Sequence, residues 1–223
     1  MDPSLAFAAE LEERDAALSD RIELLGELGR QADEVRDRAR AVAEILERLP
    51  RDREQALASL AEAERELEIA QAAHARTLAD VQRARGEDGQ AAARRHEAHA
   101  ATDVRTTEDR RGRLVLRRDE LARSEQAAAE EIGALAARVG ELAAELKAAP
   151  RVAAPDPPEP GLDGLADWGA RAHAAVFVAR SGLETERERV AREASELAAS
   201  VLGEPLAATS VAGIRERLEE RLS

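Results

Sequence analysis

Apolar residues recur at steps of three, four or seven along the first part of the chain, at Leu11, Leu18, Ile22, Leu25, Leu28, Ala32, Val35, Ala39, Val42, Leu46 and Leu49. This is the stripe of an amphipathic helix in heptad register, with one stammer at Leu25 and Leu28. Pro50 biases Leu49 away from helical backbone, and Asp52 is placed to cap a new helix. A poorer stripe follows at Leu57, Leu60, Glu64, Leu67, Gln71, His74, Leu78 and Val81. Facing residues of a tight antiparallel hairpin have numbers with one constant sum, and Val42 with Leu57, Ala39 with Leu60 and Ala32 with Leu67 satisfy this. The pattern predicts an N-terminal helical hairpin over 1–88 with its turn near 49–52. Glu64, Gln71 and His74 then read as polar seam residues that fix register.

The apolar pattern fails over 89–113, where Val104 is the one branched aliphatic. This stretch reads as a polar, basic helical connector, either continuous or broken at Gly86-Glu87-Asp88-Gly89. A strong stripe returns at Leu114, Leu121, Ala128, Ile132, Leu135, Val139, Leu142 and Leu146. After a proline-rich stretch, another runs through Leu165, Trp168, Ala172, Val176, Ala179, Leu183, Val190, Leu197 and Val201. Constant-sum pairing again fits, with Leu146 facing Leu165, Leu135 facing Val176 and Glu125 facing Glu186. The expectation is a C-terminal hairpin over 114–203 whose proline-rich loop, 150–161, reverses the chain. In the tail, 204–223, Gly203 and Pro205 make a break, and Thr209 or Ser210 caps a short helix with Val211, Ile214, Leu218 and Leu222 on one face. So short a helix is expected to fold against a partner surface. The fold class predicted is all-α, built of elongated antiparallel coiled-coil hairpins.

Composition agrees. Of 223 residues, 44% are hydrophobic and 35% charged, yet only 1% are aromatic, so a narrow aliphatic seam replaces a thick ring-filled core. There is no cysteine, which excludes disulfides, thiolate metal sites and cysteine nucleophiles. No apolar run approaches the roughly 20 residues that span a bilayer, and the start lacks a secretory pattern, so the expected location is cytoplasmic. The net charge of −13 is uneven: −9 over 1–90, +3 over 91–123 and −7 over 124–223.

That basic middle supplies the candidate nucleic-acid contacts, Arg94, Arg95, Arg105, Arg110, Arg111, Arg113, Arg117 and Arg118, because guanidinium groups meet phosphates bidentately. Interleaved acids and the absence of aromatics for base stacking keep any DNA contact weak. His96, His99 and Asp103 share one helical face, but Arg94 and Arg95 oppose a cation, so no metal is expected. No phosphate-binding loop is present, since the only lysine, Lys147, follows no glycine-rich run. No catalytic residues, cofactor or small-molecule substrate are expected. Trp168 and Phe177, with Val211, Ile214 and Leu218 in the tail, are the candidate partner-binding residues.

The stretch from Leu165, LADWGARAHAAVFVARSGLETERERVAREASELAASVLGEPLAATSVAGIRERLEERL, resembles the coiled-coil arms of chromosome-maintenance and DNA-repair ATPases of the SMC and SbcC type. The ATPase head and the Cys-x-x-Cys hook are missing, so no ATPase residue carries over. The resemblance implies a non-enzymatic structural or scaffolding role, as an arm segment or headless relative, acting through a protein partner or self-association along helical faces. Two other readings are a peripheral membrane scaffold of the PspA type, which the acidic start disfavours, and a self-assembling filament.

Overall fold

A computed structural model of the chain describes residues 3–203 and 210–222. These form four helices and no strand: α1 (Pro3–Arg83), α2 (Glu87–Ala148), α3 (Leu162–Leu202) and α4 (Val211–Leu222). The all-α class expected from the stripes holds. The chain divides into two units, one of Val42–Ile132 and the other of Met1–Ala41 with Gly133–Ser223. Both α1 and α2 contribute to each unit.

The first hairpin does not turn near 49–52, because α1 continues through Pro50. A proline inside a helix removes one backbone hydrogen bond and costs about 3 kcal/mol. The offsetting interaction is a seam that never pauses: Val42, Leu49, Ala56 and Ala63, spaced by heptads across the proline, are all buried. Pro50 itself is exposed, so its ring lies away from that seam. Leu57, assigned to the seam by the hairpin reading, is 45% exposed, and Ala56 takes its place. Asp52 caps nothing; it lies 4.0 Å from Arg117.

The turn occurs instead after Arg83. Gly86 adopts φ 77, a left-handed backbone that only glycine takes without cost, and the Gln90 amide donates to its carbonyl at 3.1 Å. The stretch 89–113 is therefore part of α2 and not a separate connector. Within the unit Val42–Ile132, α1 and α2 are antiparallel: Arg53 meets Glu125 at 3.2 Å, Arg111 meets Glu64 at 3.5 Å, and His74 meets Glu97 at 3.0 Å. Glu125, expected to face Glu186, pairs with Arg53 instead, and Glu186 pairs with Arg151. The apolar seam here is thin, with Leu60, Leu121 and Ala128 completing the buried set.

In the other unit, α2 and α3 both pack on the N-terminal part of α1. Arg138 of α2 donates to Gln31 at 2.7 Å, and Leu135 and Val35 line one small recess. On α3, Gly169 lies against Ala32 and Arg36, His173 reaches Asp33 at 2.9 Å, and Arg187 reaches Asp15 at 2.8 Å. As numbers rise on α2 or α3 they fall on α1, so α2 and α3 run parallel to each other. This corrects the second expected hairpin. The constant-sum test had matched the parallel register at a single level, where Val139 and Ala172 both fall opposite Gln31 and Ala32. Away from that level the two arrangements diverge, and Leu135 belongs beside Trp168 and Gly169 instead of Val176.

Parallel neighbours need a return connection, and the proline-rich stretch is that connection. By these registers α2 ends level with about residue 22 of α1 and α3 begins level with about residue 42, a gap of roughly 30 Å at 1.5 Å per residue. Thirteen residues at about 3.1 Å each in polyproline geometry cover it. Proline suits a strap lying along helices, since it lacks the amide hydrogen that would otherwise need a partner. The strap is seated at several points: Val152 and Ala154 pack on the core, Arg151 pairs with Glu186 of α3, and the Glu159 carbonyl occupies the space where a Gly164 side chain would stand.

Trp168 is fully buried at the centre of this core, among residues that include Leu28, Val35, Leu135, Val139 and Leu142. Its indole nitrogen meets no hydrogen-bond acceptor among the described residues. Helix α4 is capped by Ser210, whose Oγ accepts from the Gly213 amide at 3.1 Å. Its face of Val211, Ile214 and Leu218 is buried in the same cluster, and Arg215 ties it to Glu12 of α1 at 2.8 Å. The surface expected from a partner is thus supplied by the chain itself. Pro205 and Thr209, the expected break and alternative cap, lie outside the described residues.

Candidate functional site

The arginines singled out on α2 divide into two groups. Arg110 reaches Glu62 at 3.8 Å and pairs with Glu66 at 2.5 Å. Arg111 pairs with Glu64, and Arg117 lies between Asp52 and Glu120, all within Val42–Ile132. Arg118 turns to its neighbour Asp119 at 2.7 Å. The basic stretch thus answers an acidic stretch of α1, and guanidiniums offered for phosphates are engaged with carboxylates. Arg94, Arg105 and Arg113 are exposed and meet no carboxylate among the described residues, while Arg95 donates to the Ala91 carbonyl. Such exposed pairs contribute about 0.2–1 kcal/mol each.

Of the candidate partner-binding residues, Trp168, Val211, Ile214 and Leu218 are core residues and unavailable to a partner. Phe177 is 65% exposed, and Val178 beside it 70%. Heptad arithmetic puts Phe177 and Val178 off the seam that holds Ala172, Val176 and Ala179, which is the signal separating them from Trp168. His96, His99 and Asp103 are not brought together with further ligands, and no group of three His, Asp or Glu among the described residues is placed to hold a metal ion. No described helix is long and apolar enough to cross a membrane.

The structure assembles one constellation that spacing alone does not reveal. Gly26, Gly29, Ala32 on α1 and Gly169, Ala172 on α3 let these helices approach closely. A side chain on Gly169 would come within 2.7 Å of the Ala32 carbonyl. Glycine in a helix interior costs about 1 kcal/mol relative to alanine, so its recurrence at helical spacing is the legible trace of such an approach. At its edge sit His173 and Asp33, more than a hundred positions apart in sequence. His173 Nδ1 lies 2.9 Å from Asp33 Oδ2 and 3.3 Å from the Gly29 carbonyl oxygen. Arg36 Nη1 forms an ion pair at 2.6 Å with the other Asp33 oxygen, Oδ1, which accepts no hydrogen bond among the described residues. Leu25, Gly26, Gly29, Arg30, Phe177 and Arg180 complete a recess of about 130 Å³.

A larger groove of about 550 Å³ lies between α1, α3 and the start of α4, lined by Asp15, Ile22, Arg180, Glu184, Arg187 and Val211 among others. Most of its charges are paired, Arg187 with Asp15 and Arg180 with Glu184, while the Glu188 carboxylate lines it without a charge partner among the described residues. Compared with protein-family models, curated proteins and solved structures, the chain matches none of them.

Proposed function

We propose that the chain is a non-enzymatic helical scaffold, a coiled-coil structural protein or arm segment that serves chromosome-maintenance or DNA-repair ATPases of the SMC type. The observation that supports it is the division of labour along the helices. All the buried side chains among the described residues are apolar, and ionisable groups are spread over the helical faces, many of them in local pairs. Long helical faces rich in charged residues suit lateral contact with other helices. The reading includes a cytoplasmic location and a weak DNA contact through Arg94, Arg105 and Arg113.

The test combines sedimentation equilibrium of the full chain over a wide concentration range with cross-linking to an SMC-type ATPase from the same cell. The reading expects cross-links from exposed faces of α1 or α2 to the ATPase arms, or concentration-dependent self-association. A chain that stays monomeric and yields no cross-link above that of an unrelated helical protein overturns it.

A further inference from the structure

The Gly29 carbonyl, which can only accept, requires a hydrogen on His173 Nδ1, and the Asp33 carboxylate lies 2.9 Å from the same nitrogen as an ion-pair contact. Neutral His173 is therefore fixed in the tautomer whose Nε2 carries the lone pair. That nitrogen meets no partner among the described residues, and the side chain is 41% exposed at the recess. A carboxylate beside an imidazole stabilises the cation formed when the far nitrogen reacts. Two guanidiniums line the same recess. Arg180 engages Glu184 through Nε, leaving its Nη groups free of that bond, and Nη1 lies 3.8 Å from where a Gly26 side chain would begin. Arg30 engages Glu27 through Nη2. The floor is open because Gly26 and Gly29 have no side chains; one on Gly29 would stand 3.9 Å from His173 Nδ1.

The other histidines lack this combination. His74 presents Nε2 to Glu97, the reverse tautomer, and His96 and His99 have no carboxylate partner among the described residues.

We infer that His173 is a phosphoryl-acceptor site, modified at Nε2 by small, high-energy phosphoryl donors of the acyl phosphate or phosphoramidate class. The Nε2 lone pair attacks phosphorus as the bond from phosphorus to the donor's oxygen or nitrogen breaks, and the leaving group takes that electron pair. No proton need leave the ring, since the hydrogen on Nδ1 stays bonded to the Gly29 carbonyl, and the Asp33 carboxylate 2.9 Å away balances the charge of the phosphoimidazolium. Arg30 and Arg180 face the phosphoryl oxygens. Asp33 is the positioning residue and His173 the acceptor. This inference stands apart from the scaffold reading.

The test treats the full chain with acetyl phosphate and, separately, phosphoramidate, and locates acid-labile, alkali-stable phosphate by mass spectrometry. The ring nitrogen is then assigned by phosphorus NMR. One phosphoryl group on His173 Nε2 is expected, at least tenfold faster than on His96 or His99. His173→Gln should abolish it. Asp33→Asn should slow it about tenfold and admit the Nδ1 isomer, a change of isomer that mere loosening of the fold does not produce. Circular dichroism keeps unfolded variants out of the comparison, and Arg180→Gln gives a second, surface-exposed variant expected to slow labelling severalfold. Equal labelling of His96, His99 and His173, or labelling at Nδ1 in the unaltered chain, overturns the proposal.

Discussion

Arg151, just past the end of α2, forms an ion pair with Glu186, beyond the middle of α3. In a reversal hairpin the residue after α2 would sit beside the start of α3, so this one contact separates the two arrangements. Arg151 also adopts φ 65, a left-handed backbone unusual for a residue with a side chain, which costs roughly 1 kcal/mol or more. The chain leaves α2 by a sharp bend and is held at once to the neighbouring helix.

The Arg151 hydrogen bond holds the Glu186 carboxyl below its ordinary value of 4.5. A depressed folded-state value means that the pair's contribution is fully present above the unfolded value and is lost as pH falls through the folded one. Thermal midpoints measured from pH 7 to pH 3 should therefore fall further for the unaltered chain than for Glu186→Gln. The difference will be small, because the pair is exposed to water. Identical pH profiles contradict the role of this pair.

Gly169 is where α3 comes closest to α1. Gly169→Ala forces its methyl into the Ala32 carbonyl and the Arg36 backbone and should destabilise the chain by about 1–3 kcal/mol in chemical unfolding. Gly140→Ala, on α2 with open space around it, should instead stabilise by about 0.5–1 kcal/mol through helix propensity.

Helix α4 is predicted to be part of the unit's cooperative core. Ile214→Ala empties a buried position and should cost about 2–4 kcal/mol, with amide exchange rising in 211–221 and in the facing part of α1 around Leu11. Exchange that rises in α4 alone would mean that its docking is peripheral.

The pairing within Val42–Ile132 rests on a thin seam and on arginine–carboxylate contacts. Charge reversal by Arg110→Glu with Arg111→Glu places like charges beside Glu62, Glu64 and Glu66. It should weaken protection of amides in 52–66 severalfold, and more at low salt than at high salt, since screening reduces both attraction and repulsion. An effect independent of salt would assign the pairing to the apolar seam.

How much of this was legible in the chain depends on range. The helical state was legible along the stripes through heptad periodicity, and over 89–113, where the stripe fails, through composition alone, because both signals are local. The break at Gly86 was legible as an alternative, because glycine with Glu-Asp beside it is a turn signal. Pro50 misled: a local breaker was outweighed by Val42, Leu49, Ala56 and Ala63, whose smaller members look too weak to form a seam until α2 covers them. The direction of α3 misled for another reason. Heptad stripes fit parallel and antiparallel partners alike, and the loop's length of 13 residues between helix ends was slack for a reversal but fitting for a return strap. His173 and Asp33 were invisible as a pair because a tertiary crossing brings them together, and only the helical glycines hinted at that crossing.

The parallel course of α2 and α3 is the claim on which the strap, the core around Trp168 and the crossing at His173 all depend. The chain has no cysteine, so spin labels can be placed in pairs at Lys147 with Ser181 and at Lys147 with Asp163, and their separations measured by pulsed electron resonance. The parallel arrangement predicts a short distance for Lys147 with Ser181, near the roughly 10 Å spacing of packed helix axes plus the label arms. It predicts a distance longer by about 15 Å or more for Lys147 with Asp163, since 163 and 181 lie about 27 Å apart along α3. The reverse order of the two distances would contradict the account.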